Sequence, residues 1–135
     1  MAISCTISDI FPTSPEALYT AWLDSDSHSA MTGGDAIVSA DLGASFSAWD
    51  GYISGKNIEL EPGKRILQSW RTTEFDSKDA DSMLEILLEP LPEGTKLTLT
   101  HQGIPEGQPD YAQGWEDYYF KPMREYFSPH KIGGH

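Results

Sequence analysis

Residues 109–127 read PDYAQGWEDYYFKPMREYF, and this stretch decides the fold. Its large aromatic and thioether side chains recur at every fourth position, which places them on one side of an α-helix: Tyr111, Trp115, Tyr119, Met123 and Phe127. The opposite side carries charged and amide groups: Gln113, Glu116, Asp117, Lys121, Arg124 and Glu125. A helix with one apolar side packs that side against other parts of the protein. The sequence therefore predicts a C-terminal helix that lies on the β-rich middle of the chain.

Pro122 lies inside this predicted helix. Proline has no N–H, so it removes the hydrogen bond to residue 118 and costs about 3 kcal/mol in a regular helix interior. We therefore expect the helix axis to bend here. A bent helix fits a curved sheet better than a straight one does.

The first part of the chain predicts one strand followed by two short helices. Residues 3–11 alternate apolar and small polar side chains with the period of a half-buried strand. Ser14 and Pro15 then favour a helix start, because the Ser14 hydroxyl can accept from free backbone amides and Pro15 loses no hydrogen bond there. A second helical turn is expected over 25–31, ended by Gly33.

The middle of the chain predicts an antiparallel meander of short strands joined by tight turns. Asp50-Gly51 is a favoured hairpin dipeptide, and Pro62-Gly63 marks another turn. The acidic segment 76–81 is expected to be a solvated loop. Runs of strand length fill the intervals between the turns: 36–41, 45–49, 65–75, 82–89 and 95–102.

Length and charge limit the kinds of partner. With 135 residues and 39% apolar content, the chain fits one domain, expected over 1–128 and followed by a loosely ordered tail over 129–135. The 21 acidic and 9 basic residues give a net charge of −12, which repels nucleic-acid phosphates and anionic bilayers. The first residues have neither a positive segment nor an apolar run, and no stretch approaches the ~18 apolar residues of a membrane-spanning helix. We therefore expect a soluble, cytoplasmic protein that binds neither nucleic acid nor membrane.

The order of these elements is similar to the α+β helix-grip fold of START-like (SRPBCC) and birch-pollen-allergen-like domains, in which a curved antiparallel sheet wraps around a long C-terminal helix. Local motifs sharpen this likeness, because they resemble those of the activator of heat-shock-protein-ninety ATPase, homologue-like family. They follow the family's order over nearly the whole chain: Ser14-Pro15-Glu16, Asp50-Gly51, Leu60 and Pro62 ahead of Arg65-Ile66, Gly94-Thr95 ahead of Leu97, and Gly114-Trp115.

The resemblance implies a helix-grip fold and a chaperone as partner. In the eukaryotic activator, a separate N-terminal domain makes much of the chaperone contact, so the resemblance implies the fold more directly than co-chaperone activity. A chaperone cofactor or stress-related interaction module with a filled core is therefore one alternative function. A cyclase-, hydrolase- or dehydratase-type enzyme of the kind found on related folds is another, and it requires polar groups that converge in the cavity.

A helix-grip fold can enclose a cavity between sheet and helix, and apolar cavities with a few polar groups are the usual sites for small ligands. Because the predicted lining is nearly all apolar, we expect a non-enzymatic module that binds a small hydrophobic ligand without a cofactor. The same side chains could instead fill the space as core, since each aromatic buries ~150 to 250 Å². Strand alternation and helix spacing direct six side chains inward: Phe46, Trp70, His101, Trp115, Tyr119 and Met123.

His101 is the residue of this set that titrates near neutral pH. No sequence spacing indicates an acid or base partner for His101. We therefore expect a hydrogen-bonded core histidine and no catalytic residue. Cys5 is expected to be a small apolar residue of the first strand. Residues 24–35 imitate a calcium loop only superficially, because Ser29 stands where that loop needs glycine, and no metal site is expected.

Overall fold

Six antiparallel strands form one curved sheet in the computed structural model, which describes residues 3–127. In chain order they are β1 (Ile3–Phe11), β2 (Ser45–Ala48), β3 (Ile53–Glu61), β4 (Arg65–Thr72), β5 (Ser82–Leu91) and β6 (Gly94–Ile104). Across the sheet the order is β1-β6-β5-β4-β3-β2, so the middle of the chain is a meander and β1 pairs with its last strand. This arrangement confirms the predicted α+β helix-grip class. The tail expected over 129–135 lies outside the described residues.

Two short helices connect the first two strands, and a longer helix ends the described chain. The short ones are α1 (Pro15–Leu23) and α2 (Ser25–Thr32). Side chains cap both as the sequence suggests for the first: Ser14 Oγ accepts from the Ala17 amide at 3.1 Å, and the Asp24 carboxylate accepts from the Ser27 amide at 2.9 Å. The C-terminal helix consists of three consecutive parts: α3 (Tyr111–Trp115), a π-helical turn (Glu116–Phe120) and α4 (Lys121–Tyr126).

The π-helical turn ends two residues before Pro122, and the sequence did not predict it; the bend of the helix axis expected at Pro122 stays a prediction. At its end the Lys121 amide donates to the Glu116 carbonyl, five residues back. On a regular helix of 3.6 residues per turn, a spacing of four would rotate each successive side chain by about 40°. The extra residue in the wide turn offsets that rotation, so the predicted apolar side stays aligned and its first four members are buried: Tyr111, Trp115, Tyr119 and Met123.

Phe120 is a buried helix residue that the spacing of four misses. It is 1% exposed, and its ring meets Phe11 of β1 edge-on at 5.7 Å between centroids. The wide turn brings Phe120 to the inner side next to Tyr119. The end of the helix is thereby packed onto the edge strand β1.

The strand predicted over 36–41 is wrong. In this segment only an isolated bridge between Ile37 and Ser47 joins the sheet. Two serines of α2 take the neighbouring backbone groups instead: Ser25 Oγ bonds both the amide and the carbonyl of Val38 at 3.0 Å, and Ser29 Oγ accepts from the Ala36 amide at 2.9 Å. Serine side chains of α2 therefore hold this segment. Their hydrogen bonds take backbone groups that could otherwise have paired with a neighbouring strand.

The acidic segment 76–81 is mostly exposed, as expected for a loop, and it folds around one arginine. The Arg71 guanidinium donates to the carbonyls of Asp76 at 3.0 Å and Asp79 at 3.1 Å, and to the carboxylate of Asp81 at 2.7 Å. These contacts give the loop a fixed course from β4 to β5.

Candidate ligand cavity between the sheet and the C-terminal helix

A cavity of about 400 Å³ lies between the sheet and the C-terminal helix. The turn between β2 and β3, the inner face of β4 and the first half of the helix form its walls. Its lining is mostly aromatic, with seven aromatic residues among eleven: Trp49, Tyr52, Ile53, Trp70, Pro109, Asp110, Tyr111, Gly114, Trp115, Tyr118 and Tyr119.

The structure places all six residues of the predicted lining in the interior and brings three of them to the cavity. Trp70, Trp115 and Tyr119 line it. The other three are buried elsewhere: Phe46, His101 and Met123. His101 packs directly behind the wall, with its ring 4.5 Å from that of Trp70 and at a steep angle to it.

His101 belongs to a buried chain of hydrogen bonds that runs from the Trp115 indole to the Trp70 carbonyl. These two end groups determine which atoms donate along the chain. The Trp115 indole N–H can only donate, so Nδ1 of His101, 3.1 Å away, is the acceptor and the ring is neutral. Nε2 then carries the hydrogen and donates to Ser82 Oγ at 2.7 Å, and that hydroxyl donates to the Trp70 carbonyl at 2.8 Å. Burial lowers the pKa of His101 to about 4. His101 is thus a hydrogen-bonded core histidine, as predicted, and it holds Trp115 in the cavity wall.

His28 of α2 holds Tyr119 in a similar way, and the sequence prediction missed it. Its Nδ1 lies 2.8 Å from the Trp22 carbonyl, so this nitrogen carries the hydrogen and donates. Nε2 therefore accepts from the Tyr119 hydroxyl, also at 2.8 Å. Burial lowers the pKa of His28 and raises the pKa of Tyr119, so both are neutral. Helical spacing from Met31, which puts His28 on the buried side of α2, was the available signal.

Two further hydroxyl groups of the cavity wall are also engaged within the protein. The Tyr111 hydroxyl lies 2.8 Å from both Thr72 Oγ1 and Gln108 Oε1. The Tyr52 hydroxyl donates to the Glu74 carboxylate. The cavity therefore offers aromatic surface more than free hydrogen-bonding groups.

Trp49 forms the wall nearest the hairpin turn and has two unusual features. Its backbone has a positive φ of 52°, a conformation that bulky residues rarely adopt. Its indole Nε1 is buried, and no described residue accepts a hydrogen bond from it. The ring lies against Gly34, where a Cβ would come within 2.5 Å of it, and meets Tyr118 at 5.6 Å between centroids. The expected Asp50-Gly51 turn is present, and it directs Trp49 toward the helix.

Charge in the cavity wall comes from Asp110 alone among the described lining residues. Its carboxylate also caps α3 by accepting from the Gln113 amide at 3.2 Å. Within residues 3–127, no group of three His, Cys, Asp or Glu side chains is placed to hold a metal ion. Nor does any helix of that range combine the length and apolarity needed to cross a membrane.

A curved antiparallel sheet with a long C-terminal helix across it defines a helix-grip, START-like domain, and solved structures share this fold. An HSP90 activator from Plasmodium falciparum superposes with a TM-score of 0.83 at 24% identity, over 92% of this chain and 95% of that one. The Aha1 dimer from Colwellia psychrerythraea gives a TM-score of 0.80 at 16% identity, over 96% and 98% of the two chains.

Sequence comparison narrows the class to one family. The family model described as Activator of Hsp90 ATPase homolog 1-like protein matches residues 12–128. The human Activator of 90 kDa heat shock protein ATPase homolog 1 is 31% identical over 123 residues, which are 90% of this chain and 36% of that protein. A homologous activator from Dictyostelium discoideum is 28% identical over 90% of this chain and 32% of its own length. The chain belongs to the Activator of Hsp90 ATPase homolog 1-like family, and it spans about a third of the length of these relatives.

Proposed function

We propose that this chain is a START-like module that binds a small, largely apolar ligand in the cavity between sheet and helix. The aromatic-lined space of about 400 Å³ carries the proposal. It falls within the range of about 300 to 1,000 Å³ that is usual for ligand pockets. Protein interiors normally close such spaces, because they pack as densely as organic crystals. Here the ring centroids of Trp70 and Trp115 lie 5.4 Å apart, and the cavity beside these rings remains unfilled.

Gly114 offers a way to test the cavity without removing any contact. It lines the cavity, and a Cβ built on it meets no atom within 4 Å. Gly114→Leu should therefore occupy part of the space, whereas Gly114→Ala should leave most of it. The alanine variant is the matched control, since both substitutions remove the same helix glycine.

The experiment uses Nile red, a neutral apolar dye, and a library of small apolar compounds that compete with it. The parent protein should bind the dye one to one and melt at a temperature that rises with dye concentration, because a ligand specific to the folded state stabilises it by mass action. Gly114→Leu should lose binding and Gly114→Ala should keep it. A folded parent that binds neither dye nor any library compound would overturn the proposal, and so would unchanged binding by Gly114→Leu.

A second candidate function is contact with a chaperone of the Hsp90 class. It is supported by the names of the relatives, the human one being 31% identical over 90% of this chain. The test measures association with such a chaperone and its rate of ATP hydrolysis with and without this protein. The expected result is binding and a faster rate; a chaperone that neither binds nor changes its rate contradicts it. Gly114→Leu should leave this contact intact, because the change lies in the cavity, and the two functions are thereby separable.

With this second function we also propose a cytoplasmic location and a role under stress. Cell fractionation and protein abundance before and after heat shock test both points. Recovery outside the cytoplasm, or an abundance that heat leaves unchanged, would contradict them.

A further inference from the structure

The cavity wall combines many aromatic rings with negative charge. Seven of its residues are aromatic: Trp49, Tyr52, Trp70, Tyr111, Trp115, Tyr118 and Tyr119. Among the described residues that line it, none is Lys, Arg or His, and Asp110 supplies a carboxylate. A wall of this composition selects among ligands by charge as well as by apolarity.

The aromatic rings of the cavity wall lie in several planes. Trp70 and Tyr111 meet at 81° with centroids 5.1 Å apart, and Trp49 and Tyr118 meet at 74° and 5.6 Å. Trp115 is inclined to Trp70 by 46°. A parallel stack would favour a thin flat ligand, whereas rings set at steep angles suit a rounded group. The negative faces of aromatic rings attract such a group when it is positively charged.

The charges around the cavity also favour a positively charged ligand. Asp110 is exposed at its rim, and the Glu74 carboxylate holds the hydroxyl of the wall residue Tyr52. Lys121 is the one basic side chain among the described residues that line the smaller neighbouring cavity, and Asp117 and Glu125 line that cavity too. The whole chain carries −12. A carboxylate or phosphate ligand is therefore repelled, and a cation is attracted.

We infer that the ligand of this cavity carries an alkylated ammonium group, which sits among the aromatic rings with Asp110 as its nearest counter-charge. This inference rests on the proposed ligand-binding function and names the chemical class of the ligand. The group can belong to a free quaternary amine or to a methylated lysine side chain of another protein. Both present the same methyl-covered positive charge.

The test compares benzyltrimethylammonium with neopentylbenzene, its uncharged isostere, by displacement of Nile red. The two differ in charge and hardly in shape, so the wall should bind the cation more tightly by roughly tenfold. Asp110→Asn removes the charge and keeps a good helix cap. It should weaken binding of the cation by about threefold and leave the neutral compound unchanged. Asp24→Asn, at the cap of α2 and outside the cavity lining, is the matched control and should change neither.

Tyr118→Leu is a second variant that keeps the fold, since this side chain is 59% exposed. It retains an apolar wall and loses a ring face, so it should reduce affinity for the cation more than for neopentylbenzene. Peptides with trimethylated and unmodified lysine distinguish the two sources of the group. Tighter binding of the trimethylated peptide than of benzyltrimethylammonium supports a protein partner, and the reverse supports a free amine.

Equal affinity for the cation and its isostere would overturn the inference, as would variants that change both compounds alike. Displacement of Nile red by neopentylbenzene alone would leave the proposed apolar site standing while the cation class fails. Failure of the dye itself to bind is the separate result that removes the proposed function.

Discussion

The indole N–H of Trp115 donates a hydrogen bond to Nδ1 of His101 at 3.1 Å, and this bond exists only while the histidine is neutral. One residue of the cavity wall is thus fixed by a ring that titrates. The pKa of His101 in the folded protein is about 4, lowered by burial. In the unfolded chain it is about 6.5, the ordinary value.

The first prediction is a loss of stability between about pH 6.5 and pH 4. In that interval the unfolded chain takes up a proton on His101 and the folded protein does not, so acid favours unfolding. The contribution of His101 to the free energy of unfolding is complete above about pH 6.5 and declines by roughly 3 kcal/mol as the pH falls to about 4. The pKa of His28 is also lowered, which acts in the same sense. Urea denaturation at several pH values measures the effect.

His101→Gln is the comparison that isolates this residue, because glutamine hydrogen-bonds without titrating in that range. The variant should be less stable than the parent at pH 7 and show a flatter dependence on pH. Parallel curves for the two proteins would mean that other groups cause the acid sensitivity.

The second prediction concerns Trp70, which is 3% exposed and contacts both His101 and Trp115. Trp70→Ala should lower the free energy of unfolding by about 3–5 kcal/mol, because it removes a large buried ring and leaves a hole. Ile37→Ala is the surface control: with 72% of Ile37 exposed, it should change stability by no more than about 0.5 kcal/mol. Chemical denaturation decides, and an unchanged midpoint for Trp70→Ala contradicts the packing described.

The third prediction concerns Gly55, where β3 passes close to β4. A Cβ at this position would lie 1.8 Å from the Ser69 carbonyl oxygen, a backbone atom that moves only if the strands separate. Gly55→Ala should therefore destabilise the protein by about 1–3 kcal/mol or more. Gly114→Ala has open space and replaces a helix glycine, so it should gain about 0.5–1 kcal/mol. Melting temperatures that shift in the same direction for both would contradict this account.

The fourth prediction is the absence of salt-sensitive binding to DNA or RNA, which needs clustered free Lys or Arg. Three arginines are already paired with carboxylates: Arg65 with Glu85 at 2.6 Å, Arg71 with Asp81 at 2.7 Å and Arg124 with Asp9 at 2.6 Å. Fluorescence anisotropy with labelled oligonucleotides at low salt tests it. Binding that weakens steeply as salt is added would contradict it.

Local signals in the sequence predicted most of the fold. Strand alternation, as in Ile66 and Trp70, acts over a few residues, and so does the capping serine at position 14. Such signals depend little on the rest of the chain. The inward side of the C-terminal helix was also predictable, because the spacing of its aromatic residues is itself local. The π-helical turn that keeps this side aligned was not, since its stability depends on packing against β1.

Partners distant in the sequence explain what was missed. His28 and Tyr119 lie 91 positions apart, and no periodicity relates them. The sequence predicts Val38 as part of a strand, but its backbone amide and carbonyl are hydrogen-bonded to the side chain of Ser25 in α2. Phe46 and Met123 point inward as predicted, but both are buried outside the cavity wall. Strand alternation and helical spacing predict whether a side chain points inward, and they do not predict which part of the interior it reaches.

The fifth prediction separates the two contributions of Tyr119, whose hydroxyl binds His28 and whose ring packs 5.0 Å from Trp22 and 4.9 Å from Trp115. Tyr119→Phe keeps the ring and leaves Nε2 of His28 without a donor, which should cost about 1–3 kcal/mol. Its affinity for an apolar ligand should stay close to that of the parent, because the cavity wall is unchanged.

Tyr119→Ala removes the ring as well and should cost about 3–5 kcal/mol. It also enlarges the cavity, so compounds bulkier than those the parent accepts should bind to the variant. Denaturation midpoints and Nile red displacement by a graded series of apolar compounds measure both effects on the same samples. If Tyr119→Ala were no less stable than Tyr119→Phe and accepted the same compounds as the parent, the ring would not form the wall of a binding cavity, and the proposed ligand site would have to be given up in favour of the chaperone contact.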